Sequence, residues 1–467
     1  GKASGFGTDV DGRLVFDLAG LTADQGFIIQ GETAIDWTGT SVSSAGDVNG
    51  DGFDDLIIGA PHKDDGGGSA GDAYVIFGTA SGFGAQVAGQ QVLSLSTLSA
   101  SQGFVIKGDA SGDQAGWSVS SAGDVNGDGF DDLIVGAPKN DDGGDKAGDA
   151  YVVFGTASGF GSTVAGQRVI DLGTLTASQG FVIQGIEWSN ENGSWGEWTG
   201  YSVSSAGDVN GDGFDDILVG APYSSAKGRA YVIFGTDSGF GTDVAGRQVI
   251  DLEALAVDQG TYLDGVGNGL LGFSVAAAGD VNGDGFDDFI AGAYSTADIV
   301  FGGTDLSFGF RIVDNYSNTF LGASVSSAGD INGDGFDDLI VGGDGNSPGG
   351  TSAGQAFVVF GAASFSGDVN VRTMTTSQGF SIQGDAANDL AGRSVSSAGD
   401  INGDGFDDLM VGAMGGDDGG ENAGEVYILY GGAFGGGTTP IRVTGTSVAE
   451  ILMGAVGNDR LAGRGGA

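Results

Sequence analysis

The sequence predicts an all-β fold, a β-propeller of four-stranded blades, on the basis of three observations. The phrase SVSSAGDVNGDGFDDLIIGAP, at residues 41–61, occurs six times with small changes. Each copy and the segment after it hold three short β-rich runs, such as SVSSAG, DLIIGA and AYVIFG, bounded by Gly and Asp. A fourth run, GFIIQG at 26–31, recurs as GFVIKG, GFVIQG and GFSIQG. Four consecutive strands in a unit that repeats are typical of a propeller blade.

The number of copies predicts six blades, with seven as the alternative. The last copy ends at 427–431 without a GFxIxG run of its own, whereas residues 1–31 match the connector and fourth run that follow the second copy. The N-terminal segment is therefore expected to supply the outer strand of the last blade and close the ring, so that no edge strand is exposed. A solenoid or a row of separate sandwiches remains the other architecture. The copies begin at Ser41, Ser118, Ser202, Ser274, Ser324 and Ser394.

The composition indicates a packed chain without a membrane segment. Gly accounts for 97 of 467 residues, but 40% of the residues are hydrophobic and 28 are Phe, which is too much apolar material for a disordered chain. No apolar run reaches the roughly 18 residues that a membrane span needs. Residues 1–30 do not resemble a secretory signal. The chain is expected to be processed, cut from a longer protein or exported by a C-terminal signal.

The charge and the rare residue types exclude several classes of function. A formal net charge of −46 repels nucleic acids and anionic membrane surfaces, so neither is an expected partner. The absence of Cys excludes disulfides, thiolate nucleophiles and cysteine-ligated metals. His62 is the only histidine, so a zinc site with two or three His is excluded and a Ser-His-Asp triad would have to use it.

Each copy also holds the loop D-x-N-G-D-G-F-D-D, whose positions we number 1 to 9. Side-chain oxygens at positions 1, 3, 5 and 9 and the carbonyl at position 7 surround a turn with Gly at position 6, which suits a hard cation of six to eight ligands. Magnesium requires a tighter octahedral geometry, so calcium is the predicted ion. A polar Asp-Gly turn without a metal is the alternative.

The six loops, at residues 47–55, 124–132, 208–216, 280–288, 330–338 and 400–408, predict about six calcium ions and a net charge reduced from −46 to −34. The predicted ligands are Asp47, Asn49, Asp51, Phe53, Asp55, Asp124, Asn126, Asp128, Phe130, Asp132, Asp208, Asn210, Asp212, Phe214, Asp216, Asp280, Asn282, Asp284, Phe286, Asp288, Asp330, Asn332, Asp334, Phe336, Asp338, Asp400, Asn402, Asp404, Phe406 and Asp408.

Short motifs flank these loops. Gly-aromatic pairs at 116–117 and 272–273 open a copy, and the tripeptide GAP closes three copies at 59–61, 136–138 and 220–222. Together with the loop, whose last ligand is at position 9 and not at position 12 as in an EF-hand, they resemble the FG-GAP repeats of the integrin α-subunit propeller. The resemblance covers about 430 residues. It implies an integrin-like, calcium-binding propeller of seven blades, whereas six copies are countable and the last three lack the Pro of GAP.

The C-terminus is expected to be separate from the propeller, which is assigned to residues 1–437. Residues 438–467 form a Gly-rich tail in which GAVGNDRLAGRGG resembles the start of an RTX repeat array. The resemblance implies a piece of a longer protein that bacteria export by type I secretion. A flexible Gly-rich tail is the alternative.

One irregular segment, GIEWSNENGSWGEWTGYSV at 185–203, predicts a ligand site. It holds three of the five Trp of the chain, Trp188, Trp195 and Trp198, where the second copy has a shorter loop. Exposed Trp beside Asn and Glu suits a sugar ring or a partner's surface. Alternatively, these Trp cap the core or fill a contact between blades.

The predicted function is that of a non-catalytic, calcium-stabilised binding or structural module that is secreted or held at the cell surface. The expected partners are a carbohydrate or a protein of the cell surface or matrix, or other copies of the chain, in adhesion or in surface assembly. The alternative is a glycoside or ester hydrolase, which would need a carboxylate pair converging near Trp188 and Trp198.

Overall fold

The structure is a computed structural model that describes residues 8–10, 13–15, 18–64, 67–190, 193–225, 227–267, 269–316, 319–345, 351–417, 423–432, 442–444 and 460–462. In these residues the only helices are single 3-10 turns, at Leu18–Gly20, Leu95–Thr97, Leu172–Thr174 and Leu252–Ala254. No helix of the described residues could cross a membrane. The remaining regular structure consists of strands, which confirms the predicted all-β class.

The strands are short, with two to nine residues each. Those before residue 210 are β1 (Thr8–Val10), β2 (Arg13–Val15), β3 (Ile28–Gln30), β4 (Val42–Gly46), β5 (Asp55–Ala60), β6 (Asp72–Ile76), β7 (Ala85–Val87), β8 (Gln90–Ser94), β9 (Gly103–Lys107), β10 (Ser118–Gly123), β11 (Asp132–Ala137), β12 (Asp149–Val153), β13 (Ser162–Val164), β14 (Gln167–Asp171), β15 (Gly180–Gln184), β16 (Glu187–Asn190), β17 (Gly193–Gly196) and β18 (Ser202–Gly207). The others are β19 (Asp216–Ala221), β20 (Arg229–Ile233), β21 (Thr242–Val244), β22 (Arg247–Asp251), β23 (Gly260–Asp264), β24 (Ser274–Gly279), β25 (Asp288–Gly292), β26 (Thr296–Phe301), β27 (Ser307–Val313), β28 (Ser324–Gly329), β29 (Asp338–Gly343), β30 (Gln355–Val359), β31 (Val369–Asn370), β32 (Gly379–Gln383), β33 (Ala391–Gly399), β34 (Asp408–Ala413), β35 (Glu425–Leu429), β36 (Arg442–Thr444) and β37 (Arg460–Ala462).

The chain divides into two compact units. One consists of residues 18–208 and 212–272, and the other of residues 1–17, 209–211 and 273–467. The first unit holds the first three repeats except residues 209–211 of the third loop, and the second unit holds the last three repeats.

The second repeat shows how one repeat folds. Its four predicted runs form β10, β11, β12 and β15, which pair in this order and are all antiparallel. All six residues of β11 are buried, because the strand lies inside the sheet and both of its faces are covered. This explains why DLIVGA is a continuous apolar run that does not alternate with polar residues.

Segments outside the four repeated runs add a further, parallel strand to most of the outer strands, although β23 of the third repeat has none. Within the first unit, β8 pairs in parallel with β3, β14 with β9, and β22 with β15. Within the second unit, β31 pairs in parallel with β27 and β37 with β32. The connector that follows one repeat therefore covers the outer strand of the repeat before it. The edge of each extended sheet is then a strand of two or three residues, such as β7, β13 or β21, and so short an edge offers little for another chain to pair with.

The described residues form seven sheets of three or more strands, so the prediction of six blades was wrong and the structure has seven. Three of these sheets have six strands, one has five, one has four and two have three. The seventh sheet, β3-β8-β7, belongs to no copy of the loop motif, so counting loops missed it. β3 pairs with β8, and the sheet of the last repeat consists of β33, β34 and β35, so closure by the N-terminal segment and uniform four-stranded blades stay predictions.

Candidate metal centres

The second loop, residues 124–132, shows the shared geometry of the repeated motif. It follows β10 and ends at Asp132, the first residue of β11. One oxygen of the Asp124 carboxylate accepts hydrogen bonds from the N–H groups of Gly127 (2.8 Å) and Asp128 (3.0 Å), and the other accepts from Gly129 (2.9 Å). Gly127 and Gly129 have φ of 74° and 88°, which a residue with a Cβ rarely adopts. The motif therefore needs both its glycines and its first aspartate to fold as a loop.

The aspartate at position 9 lies in the protein interior. Asp132 is fully buried, and one of its oxygens accepts from the N–H of Gly155 at 2.8 Å while the other accepts from Val125 at 3.1 Å. The Nδ2 of Asn126, at position 3, is 3.3 Å from the same carboxylate. The counterparts of Asp132 are equally buried, namely Asp55, Asp216, Asp288, Asp338 and Asp408. Each described loop thus places one carboxylate inside the fold.

This burial makes the negative charge at position 9 unfavourable. Burial, together with the nearby charges of Asp128 and Asp124, raises the pKa of Asp132 from its ordinary 3.8 to about 8. The pKa values of Asp55 and Asp288 rise to about 7 for the same reasons, and that of Asp338 rises to about 8. The carboxylates at positions 1, 5 and 9 are therefore close enough to repel one another.

Without metal ions, the stability of the chain is expected to fall as the pH rises from 5 to 8. Folded-state pKa values of 7 to 8 lie above the ordinary 3.8, so across this window the folded chain holds protons that the unfolded chain has released. Raising the pH therefore removes stability as Asp132 and its counterparts ionise. Melting temperatures in excess EDTA at pH 5, 6.5 and 8 measure the effect, and a flat or rising profile would contradict it.

The donor set fits a hard cation. Each loop offers acidic oxygens at positions 1, 5 and 9, an amide oxygen at position 3 and a carbonyl at position 7, which are the ligand types that calcium prefers. In the described residues, no three acidic or histidine side chains already surround a common point. The position 1 carboxylate instead accepts hydrogen bonds from the N–H groups of its own loop.

Sequence analysis missed the role of position 8. The carboxylate of Asp131 accepts a hydrogen bond from the N–H of Asp47, the first residue of the preceding loop, at 2.8 Å. The same bond joins Asp215 to Asp124 (2.8 Å), Asp337 to Asp280 (2.9 Å) and Asp407 to Asp330 (3.1 Å). All six copies have an Asp at position 8, although this position has no predicted ligand role. That repetition was the signal that could have revealed the contact between loops.

The three Trp of the irregular segment are only partly described. Trp188 and Trp195 are cross-strand partners in the hairpin of β16 and β17, and their side chains lie outside the described part of the structure. Trp198 is half-buried, and its ring centroid is 4.7 Å from that of Tyr223 and 6.3 Å from that of Tyr201. The Nζ of Lys139 lies 5.5 Å from the Trp198 ring. Trp198 is therefore part of an aromatic group with one cation beside it.

Glu197, next to Trp198, is the buried acid of this segment. Its carboxylate is fully buried and accepts hydrogen bonds from the Thr199 hydroxyl at 2.9 Å, the Tyr231 hydroxyl at 3.1 Å and the Ile186 N–H at 3.2 Å. These partners are donors and not a second carboxylate. The arrangement is that of an anchored structural acid, which differs from the carboxylate pair that the hydrolase hypothesis needs.

The RTX-like part of the tail lies mostly outside the described residues. Residues 445–459 and 463–467 are not described, and β36 and β37 extend the sheet of β28, β29, β30 and β32. The RTX resemblance and the boundary at 437 therefore stay predictions.

Comparison with known proteins agrees with this architecture. The FG-GAP repeat matches five segments, at residues 38–76, 115–153, 199–233, 321–359 and 391–429. Integrin alpha pat-2 of Caenorhabditis briggsae is 28% identical over 256 residues, which are 54% of this chain and 18% of that protein. Integrin alpha-PS2 of Drosophila melanogaster is 30% identical over 202 residues, 41% of this chain and 12% of that protein. Integrin alpha-6 of Gallus gallus is 27% identical over 198 residues, 42% of this chain and 15% of that protein.

The chain thus covers less than a fifth of the length of these relatives. Each segment that matches the FG-GAP repeat contains the first three strands of one repeat, and the fourth repeat is the one without a match. Five segments of the chain are thus similar to the FG-GAP repeat, and the chain is similar to part of integrin alpha chains, which supports an integrin-like β-propeller.

Proposed function

We propose that the chain is a non-catalytic, calcium-stabilised binding module that acts outside the cell in adhesion or in surface or matrix assembly. The observation that carries the proposal is the buried carboxylate at position 9, present in all six repeats and surrounded by further acids. A buried negative charge without a compensating partner is costly, and a divalent cation supplies that partner.

Calcium would be held in the second loop by side-chain oxygens of Asp124, Asn126, Asp128 and Asp132 and by the carbonyl of Phe130. Its charge would offset the repulsion that raises the pKa of Asp132. The other five loops carry the same residue types at the same positions, so about six ions are proposed.

A non-catalytic role is supported by the assignment of the repeated acids to these loops and by the setting of Glu197. The similarity to integrin alpha chains favours binding over catalysis, although a propeller hosts many activities. We therefore place the function in recognition of a protein or carbohydrate of a cell surface or matrix, or of other copies of the chain. Export of a longer bacterial protein by a type I system is part of the proposal and rests on the RTX-like tail.

The aromatic group around Trp198 is the proposed recognition surface. Trp and Tyr rings with a nearby cation offer stacking to a sugar ring and a large, rigid contact to a protein. Trp198, Tyr201 and Tyr223 lie within 6.4 Å of one another by ring centroids.

Changing Trp198 to Ala is expected to weaken binding at least tenfold, because an aromatic anchor at the centre of a contact contributes about 2 kcal/mol or more. The probes are an array of immobilised oligosaccharides and a panel of immobilised matrix proteins, each with calcium or with EDTA. The matched control is Trp37→Ala. Trp37 precedes Thr-Gly in the first repeat as Trp198 does in the third, and its side chain is 57% exposed.

Sedimentation velocity of the same samples tests self-association. No retention on either surface and a single monomeric species, both in calcium, would overturn the binding proposal. Retention that Trp37→Ala and Trp198→Ala reduce equally would place the site elsewhere on the chain.

A further inference from the structure

Neighbouring loops are joined by the position 8 aspartate. Asp131 lies between Phe130 and Asp132, two proposed ligands of the second loop, and its carboxylate holds the N–H of Asp47 at 2.8 Å. Asp47 is the first proposed ligand of the first loop. Phe130 and Asp132 of the second loop therefore fix the backbone of Asp131, and the Asp131 side chain in turn positions Asp47, a proposed ligand of the first loop.

A second connection joins the position 9 aspartates of the same two loops. The Asp132 carboxylate accepts from the Gly155 N–H at 2.8 Å, and the adjacent Thr156 N–H donates to the Val48 carbonyl at 2.8 Å. The N–H of Val48 then donates to the Asp55 carboxylate at 3.2 Å. Two buried proposed ligands are thus linked through three hydrogen bonds, each donated by a backbone N–H.

Other junctions have the same second connection. Asp216 accepts from Gly235 (2.9 Å), Thr236 donates to Val125 (2.8 Å), and Val125 donates to Asp132 (3.1 Å). Asp338 accepts from Gly361 (2.8 Å), Ala362 donates to Val281 (2.9 Å), and Val281 donates to Asp288 (3.0 Å). Because the connection recurs in both units, it is a general feature of the repeat and does not depend on one irregular contact.

Tight packing at the junction leaves little freedom for one loop to move without the other. A Cβ added to Gly50 of the first loop would lie 2.4 Å from Cε1 of Phe130, so the phenyl ring rests directly on this glycine. A Cβ added to Gly46 would lie 2.3 Å from the Asp131 carboxylate. Neither position has room for a side chain, so the loops are in direct contact.

We propose that calcium binds cooperatively to adjacent loops and that the position 8 aspartate is the residue that couples them. This inference rests on the proposed calcium sites. An ion in the second loop fixes Phe130 and Asp132, and with them the Asp131 carboxylate that orients Asp47. The first loop then loses less conformational freedom when its own ion binds, which is the origin of the coupling. By linkage, the first ion favours the second to the same degree.

The test is a double-mutant cycle read at the first loop. Asp128→Ala weakens the second site at an exposed ligand, and Asp131→Ala removes the connecting carboxylate. Hydrogen exchange of the peptide that covers residues 46–54, measured over a calcium series, gives the calcium concentration for half-maximal protection of the first loop. Asp337→Ala is the matched control, because Asp337 occupies position 8 of the fifth repeat, is half-buried like Asp131, carries the same charge and contacts Asp280 of the fourth loop instead of the first loop.

Each of Asp128→Ala and Asp131→Ala is expected to raise this concentration about fivefold or more, the usual lower range of a coupling between sites. The double variant is expected to add little to the larger single effect, and Asp337→Ala to leave the value within about twofold. Asp131→Asn, which keeps the size of the side chain, should give a smaller shift in the same direction and serves if Asp131→Ala does not fold.

The outcomes separate this inference from the calcium proposal. If the first loop of the unchanged chain gains no protection from calcium, the calcium proposal itself fails. If it gains protection but Asp128→Ala leaves its half-maximal concentration unchanged, the loops bind independently and the coupling is overturned. Equal effects of Asp337→Ala and Asp131→Ala would also overturn it, because the loss of one negative charge would then explain both.

Discussion

Excess EDTA is expected to lower the melting temperature of the chain by about 8 °C relative to protein in about 10 mM calcium. Extracellular-type loops have dissociation constants of roughly 1 mM, so each of six sites contributes about 1.4 kcal/mol and together they contribute about 8 kcal/mol. A chain of 467 residues has an unfolding entropy of about 1 kcal/mol/K, which converts that free energy to the stated shift. Cooperative binding would make the shift steeper in calcium concentration.

The measurement is a melt in EDTA followed by calcium additions up to about 10 mM. Salt alone screens the repulsion within a chain of net charge −46, so each calcium sample needs a magnesium sample of the same ionic strength. A rise in calcium that magnesium does not reproduce supports the proposed sites. Equal rises in both salts would mean screening, and no rise in either would mean that the loops are turns without a metal.

Most of the strand pattern could be predicted from the sequence because it is local. SVSSAG, DLIVGA, AYVV and GFVIQ of the second copy form β10, β11, β12 and β15, and the Gly and Asp between them make the turns. The connector strands were not predicted as part of the sheets, because each pairs with a strand more than 50 residues earlier. Residues 169–171, for example, pair with residues 105–107. Such distant pairing leaves no short-range signal, and the same limit explains the missed seventh sheet.

For the candidate site, the sequence likewise predicted the residues within one loop but not the contacts between loops. Spacing within one loop identified Asp124, Asp128 and Asp132, because their chemistry depends on residues a few positions apart. The contact between Asp131 and Asp47 joins residues 84 positions apart and depends on the stacking of one repeat on the next. The spacing within a single loop cannot reveal that contact. The Trp segment stood out by its composition, whereas the partners of Trp198 are known only from the fold.

Changing Asp132 to Ala is expected to cost about 3 kcal/mol even in EDTA, whereas Asp128→Ala is expected to cost less than about 1 kcal/mol there. Asp132 is buried, and its loss leaves the N–H groups of Gly155 and Val125 without an acceptor in the interior. Asp128 is exposed and accepts one hydrogen bond, from the Phe130 N–H at 3.1 Å. Urea unfolding at pH 6.5, where the raised pKa keeps Asp132 largely neutral without metal, measures both changes.

The same two variants give different information when calcium is present. In calcium, Asp128→Ala should lose the additional 1.4 kcal/mol or so that one ion contributes, although its fold in EDTA is nearly unchanged. A variant that is stable without the ion and weaker only with it identifies a ligand, because a purely structural residue acts in both conditions. If Asp128→Ala behaves as the unchanged chain in calcium, the second loop holds no ion. If Asp132→Ala is harmless in EDTA, the buried acid serves the metal alone and does not stabilise the fold.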